Sequence, residues 1–214
     1  MNKTRKKIIL SAIELFNEKG LFNVKNQEIA EKAEISLSNF NYHFGTKQEL
    51  VFAVTNYMTS VLEEKVYGNR ILIQEGQGLE ITKAYYEFQI EFQFFYVDTP
   101  GIIQVYPEVK EELKRQVDEA IQIVKNLNYL AIGRGGMKPE PPEMPGLYDR
   151  LAEQLWMNNH FRFAYMKIRE LKEDMVIKGL ETNYSIVYPY LTEKGKEVYE
   201  VFINSLKEQD NSQE

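Results

Sequence analysis

The chain of 214 residues has no cysteine and only two histidines. Without thiols there are no disulfides and no thiolate metal sites, and two imidazoles leave little for a histidine metal centre or a nucleophilic triad. A Gly-rich phosphate loop, a Gly-x-Ser-x-Gly elbow and a His-Glu-x-x-His pair are likewise missing. The abundant carboxylates fall in runs that read as solvated faces, such as Glu108, Glu111 and Glu112. We therefore expect no enzyme, no metal and no cofactor. No apolar run approaches the roughly twenty residues of a membrane span, and the basic start Met-Asn-Lys-Thr-Arg-Lys-Lys runs into an amphipathic pattern, not a signal peptide. The expectation is a soluble cytoplasmic protein with no membrane partner. Proline is sparse, and four of the seven sit with four glycines between Gly133 and Gly146. Such a stretch reads as a mobile loop, neither helix nor paired strand.

Positive charge is in deficit, with 26 Lys and Arg against 32 Asp and Glu and a net of −6. The N-terminus reverses the balance. Residues 1–47 hold eight Lys or Arg and five Asp or Glu, a net of +3, which leaves −9 on the remainder. A basic head on an acidic body would meet nucleic-acid phosphates through the head alone.

Within that head, residues 27–47 divide into two short helices around a tight turn. Ile29, Ala30 and Ala33 share a face at helical spacing, and Ser36 stands where an N-cap belongs. The following piece, Leu37 to His43, is anchored only by Phe40, with Phe44 just beyond. A helix so short and polar serves something other than packing: this is the pattern of a helix-turn-helix that offers its second helix to the DNA major groove. Upstream, a helix beginning near Thr4, whose hydroxyl can cap it, carries Ile8, Ala12, Leu15 and Phe16 and ends at Gly20 in a left-handed cap. Downstream, Thr46-Lys47-Gln48-Glu49 reads as a capping box that opens a longer helix reaching about residue 67.

Thr4-Arg5, Ala12, Leu15-Phe16, Gly20, Ile29-Ala30, Ala33, Ile35-Ser36, Phe40, Tyr42-His43-Phe44, Lys47 and Leu50 follow in an order and spacing that resembles the TetR family of bacterial transcriptional regulators. Two positions depart from it. Glu34 stands where the family commonly has Gly, so it must take a left-handed backbone or widen the turn. Lys25 replaces a capping Thr or Ser and has no acceptor, which would pass the cap to Asn26. The resemblance implies an all-α protein, with a three-helix helix-turn-helix DNA-binding domain over residues 1–50 and a larger helical ligand-binding and dimerisation body over 51–214. It implies a ligand-responsive repressor that binds a palindromic double-stranded operator as a homodimer; an activator, or a ligand-independent architectural or division-linked protein, is the alternative.

Side-chain chemistry puts Gln27, Leu37, Ser38, Asn39, Asn41, Tyr42 and His43 on the reading surface. The resemblance gives base or backbone contacts to the same positions except Asn41. His43 reads equally as a helix-ending side chain. Thr4, Asn26 and Ser36 complete the DNA-facing set with Lys47, whose ammonium stands beside a helix N-terminus suited to phosphate.

The body reads as helices punctuated by Gly76 and Gly78, Thr99-Pro100, Pro107, Pro189 and Thr192. One helix is expected from Leu79 to Val97, others over 107–132, 147–171 and 172–188, and a last from Thr192 to about Lys207 before a frayed tail. Aromatics with polar interruptions suggest a pocket for a small apolar or amphipathic ligand, lined by Tyr85, Phe88, Gln89, Phe92, Tyr106, Trp156, Asn159, His160 and Phe163. Asn159 sits where helical spacing puts an apolar residue, so its amide needs either a side-chain or a ligand partner. The final two helices carry Leu180, Val187, Leu191, Val198 and Phe202, which we expect at the dimer interface as halves of a four-helix bundle.

Overall fold

The computed structural model describes residues 2–68, 77–172 and 174–211. Helix α1 (Lys3–Lys19) is capped by Asn2, whose carboxamide accepts from the Thr4 amide at 2.9 Å, so Thr4 is not the cap. Its broad apolar face, from Ile8 to Phe16, is buried. Gly20 ends it with φ +81°, but a ψ of 145° turns the chain to extended backbone instead of the left-handed cap. In α2 (Asn26–Lys32) the cap position is Lys25, and Asn26 is the first helical residue. The Glu28 carboxylate accepts from the Lys25 amide at 2.8 Å, supplying from inside the helix what Lys25 cannot.

Glu34 takes the left-handed backbone, with φ +54°. The chain then enters α3 (Leu37–His43), where the Ser36 hydroxyl accepts from the Asn39 amide at 3.1 Å. Phe40 and Phe44 are fully buried beneath it. Thr46 caps α4 (Lys47–Leu62) by accepting from the Glu49 amide at 3.1 Å. The Glu49 carboxylate accepts from Gly45 at 3.0 Å, not from Thr46, so only half of the expected box forms. A π-helical turn, Glu63–Tyr67, continues the helix to Gly68.

The body consists of α5 (Gln77–Glu91), α6 (Gln93–Val97), α7 (Thr99–Val105), α8 (Pro107–Gly133), α9 (Leu147–Ile168), α10 (Met175–Val187) and α11 (Glu193–Asn211). Gly76 lies outside the described residues. The single helix expected to Val97 is broken at Phe92 (φ −122°, ψ 36°). Asn17 of α1 fills the break: its carboxamide donates to the Glu91 carbonyl at 2.9 Å and accepts from the Phe94 amide at 3.1 Å. Backbone groups freed by the kink are thus satisfied by a side chain from the first helix. Asp98, not Thr99, caps α7 by accepting from the Gly101 amide at 3.2 Å. Glu170, with φ +54°, follows the end of α9, which stops short of Leu171, and α10 starts at Met175 rather than Lys172. Thr192 caps α11, which runs on to Asn211, beyond the expected frayed start of the tail.

The Gly- and Pro-rich stretch after α8 is fastened, contrary to the mobile loop expected. Met137 is buried and pairs antiparallel with Leu191. Lys138 N–H donates to the Tyr190 carbonyl at 2.8 Å, and Thr192 N–H to the Gly136 carbonyl at 3.1 Å. Gly195 faces Gly136 so closely that a Cβ on it would stand 1.9 Å from the Gly136 oxygen.

One core runs without interruption from Phe16, Phe40 and Leu50 in the head to Phe88, Phe92 and Ile102 in the body. Two smaller clusters lie under the fastened loop and around Tyr86. They absorb part of the expected dimer surface: Leu180, Val187 and Leu191 are buried within their own subunit. Val198 and Phe202 are half-buried. Of the residues expected between subunits on the final two helices, those of α10 and Leu191 pack at home, while Val198 and Phe202 of α11 keep part of their surface open.

Candidate nucleic-acid interface and body cavities

Helix α3 stands on Phe40 and Phe44 and turns the rest of its surface outward. Ser36, Leu37, Ser38, Asn39, Asn41 and Tyr42 are exposed, Tyr42 at 85 %, and Gln27 of α2 is exposed beside them. The Gln27 carboxamide donates to Glu31 at 2.9 Å, an exposed pair that can reopen. Thr4, Asn26 and His43 are half-buried. His43 ends the helix, and its carbonyl accepts from the Arg5 guanidinium at 2.9 Å. Arg5 also lies 4.2 Å over the Phe44 ring, so it locks α3 against α1. Sequence reasoning placed Arg5 in the family-like Thr4-Arg5 pair and in the basic start of the chain, without its contact to α3.

The lysines divide by role. Lys7, Lys19 and Lys32 pair with Glu34, Glu28 and Glu14. Lys3, Lys6 and Lys25 are exposed and form no ion pair among the described residues. Lys47 corrects the expectation. Its ammonium turns inward, donating to the Val24 carbonyl at 2.8 Å and resting 4.6 Å over the Phe16 ring. Burial pushes its pKa down to about 8. The long stem found an acceptor inside the head, so the ammonium points into the head and not outward beside α3.

The expected ligand residues part into separate environments. Tyr85, Phe88, Trp156 and His160 line one cavity, together with Thr55, Met58 and Leu62 of α4 and Glu112 and Gln116 of α8. Its volume is about 30 Å³, room for about one or two waters and far short of an effector. His160 stacks on Trp156, centroids 4.7 Å apart, and its Nε2 lies 3.1 Å from the Thr99 hydroxyl. Burial pushes the His160 pKa down to about 4, so the ring is neutral near pH 7. Thr59 and Gln116 hydrogen-bond to Glu112, holding that carboxylate at the edge of the aromatic wall.

Phe92, Tyr106 and Phe163 line neither cavity. Phe92 sits at the helix break against Phe88 and Tyr57. Tyr106 stacks on Phe22 of the head, and Phe163 packs against Tyr96. Gln89 is fully buried; its amide donates to the Asn159 carbonyl at 3.0 Å, while its Oε1 has no hydrogen-bond partner among the described residues. Asn159 accepts from the Tyr86 hydroxyl. It faces a second cavity, of about 180 Å³, between α5, α8, α9, α10 and α11.

A polar, capped helix presented by a three-helix head on a wholly helical, cavity-bearing body defines a helix-turn-helix transcriptional regulator. Residues 8–54 match the family described as bacterial regulatory proteins, tetR family, and residues 74–199 match TetR, described as bacterial transcriptional repressor. The chain belongs to the TetR family. It is 26 % identical over 145 residues to the HTH-type transcriptional regulator YerO of Bacillus subtilis (strain 168). That match covers 63 % of this chain and 49 % of YerO, so the chain spans about half the length of the curated relative it matches. Among solved structures it is similar to a TetR-family transcriptional regulator from Marinobacter aquaeolei VT8, with TM-score 0.83, 20 % identity and coverage of 95 % of this chain and 98 % of that one. It is similar also to a transcriptional regulator from Saccharomonospora viridis in complex with choline, with TM-score 0.73, 14 % identity and coverage of 90 % and 100 %. These likenesses are of fold. Family and fold are those of transcriptional regulators, not of enzymes, and among the described residues no helix is long and apolar enough to cross a membrane.

Proposed function

We propose that the protein is a ligand-responsive repressor that binds a palindromic operator as a homodimer, with α3 in the major groove and Gln27, Leu37, Ser38, Asn39, Asn41 and Tyr42 as its reading side chains. The observation that carries the ligand reading is that α4, which opens in the head at Thr46, is also a wall of the aromatic cavity through Thr55, Met58 and Leu62. A small apolar or amphipathic effector must part the aromatic stack to enter, and α4 moves with that wall. Its effect on DNA affinity equals its differential affinity for the two positions of α4.

The homodimer reading rests on α9. Met157, Phe161, Tyr165 and Ile168 fall at i, i+4, i+8 and i+11 and are all exposed, Ile168 at 80 %. They form a stripe about 16 Å long. Paired about a two-fold axis, such a face holds two heads over half-sites about 34–36 Å apart. Binding-site selection with the purified protein tests the reading. It should return a palindrome whose affinity falls steeply with salt as Lys3, Lys6 and Lys25 displace counterions. Phe161→Glu should sediment as a helical monomer and lose the operator. Selection without sequence preference, or a Phe161→Glu protein that stays dimeric with unchanged affinity, sinks it.

A further inference from the structure

The larger cavity is separate from the wall formed by α4. It is about 180 Å³ in volume, with apolar sides from Leu79, Val124, Leu127, Leu155, Val187 and Val198. For scale, an apolar cavity of about 150 Å³ accommodates benzene. Three asparagines on three different helices enter this one: Asn128 of α8, Asn159 of α9 and Asn183 of α10, each more than nine-tenths buried. Their hydrogen bonds are incomplete on the protein side. The Asn159 oxygen accepts from Tyr86 and, at 3.4 Å, from Asn158, but its NH2 finds no acceptor among the described residues. The Asn128 NH2 reaches the Tyr148 carbonyl only at 3.5 Å, and its oxygen receives no donor among the described residues. Asn128 and Asn159 present these groups to the cavity, where a guest carrying its own donor and acceptor can complete them. An unmet donor and an unmet acceptor on facing helices, with apolar walls between, are complementary to a group that carries both functions. No carboxylate or lysine lines the cavity, and the charge of Arg134 lies at its exposed edge.

We propose that this cavity is a second ligand site, distinct from the aromatic one, which takes an uncharged ring-sized amphiphile whose amide or hydroxyl head pairs with Asn159 and Asn128. The proposal does not depend on the effector reading of the aromatic cavity. The test is methyl NMR of the full chain titrated with benzamide, and with benzoate and toluene as controls for charge and for a missing head. Benzamide has about nine non-hydrogen atoms, and an affinity of about 1 mM for it lies well within the ceiling for a ligand of that size. The result expected is saturable shifts at Leu79, Leu155 and Val187 that leave Met58 and Leu113 in place. Benzoate and toluene should bind at least about tenfold more weakly. Asn159→Leu should weaken benzamide by about tenfold. Val124→Trp, which fills the cavity from a half-buried position on α8, should abolish binding while operator binding, measured in parallel, remains. Shifts confined to Met58 and Leu113, no saturation by about 10 mM, equal binding of toluene or benzoate, or unchanged benzamide affinity in both folded variants would overturn the proposal.

Discussion

Replacing Asn17 by Ala should cost far more than an edge-of-domain amide usually does. The substitution removes a donor at 2.9 Å from the Glu91 carbonyl and an acceptor at 3.1 Å from the Phe94 amide, both groups orphaned by the break at Phe92. An ordinary hydrogen bond contributes about 1 kcal/mol net, whereas a buried group left unpaired costs about 1–3 kcal/mol. These bonds are partly buried, so the lower half of that range applies to each, giving about 2–4 kcal/mol in sum. The Phe16 and Phe94 rings, 5.3 Å apart, lose their alignment with it. Urea unfolding followed by circular dichroism reads the cost, provided the m-value is unchanged. Asn17→Asp is the informative partner: it keeps an acceptor for Phe94 but sets a carboxylate against the Glu91 carbonyl, so it should be no more stable than the Ala variant. A loss under about 0.5 kcal/mol for Asn17→Ala, or full stability for Asn17→Asp, would refute the claim that this amide holds the break.

Lys47→Met should leave global stability within about 1 kcal/mol, because the lost bond to Val24 is offset by removal of a desolvated ammonium. Its operator affinity should keep the wild-type salt slope, whereas a phosphate-contacting lysine would lower the slope by about one unit. His160, with its pKa pushed down to about 4, binds its proton later in the folded protein than in the unfolded chain, where it titrates near 6.5. Its contribution is therefore intact above pH 6.5 and is lost as pH falls toward 4, by at most about 3 kcal/mol. Urea titrations of wild type and His160→Gln between pH 4.5 and 7 should diverge in slope, and parallel curves would contradict the buried neutral ring. Asn39→Ala should cost about 1–3 kcal/mol at the selected operator and relax preference at particular bases, which competition binding against single-base variants would reveal.

The head was legible because its decisive chemistry is local. Ser36 and Thr46 cap helices through amides three residues on, and Phe40 and Phe44 are the only apolar anchors α3 could use. What escaped reading depends on distant parts of the chain. Nothing near Phe92 marks a break, since the apolar pattern runs straight through it and the stabilising amide lies 74 residues away. Lys47 was assigned outward because a sequence does not say which way a flexible stem turns. Leu180, Val187 and Leu191 have the spacing of an interface, but the same spacing serves a subunit's own core. The aromatic residues of the body were expected to share one pocket, while the fold deals them to a small cavity, a helix break and, through Tyr106 at the start of α8, the contact with the head. Asp98 and Thr99 both offer a capping oxygen, and only the backbone decides that Asp98 takes the role.

The meeting of Gly136 with Gly195 fixes how this body can come apart. The Thr192 hydroxyl closes on the Gly135 carbonyl across 57 residues, so the turn after α8 and the start of α11 fasten a hydrogen-bonded ring with α9 and α10 strung inside it. Closing a ring of that length costs about 4 kcal/mol of chain entropy, and the cost is incurred once for all contacts the ring encloses. Opening the fastening at one point therefore releases little unless the enclosed helices loosen too. Amide exchange at Met137, Lys138 and Thr192 should accordingly follow a single opening event, and a side chain at residue 195 would prevent the ring from closing.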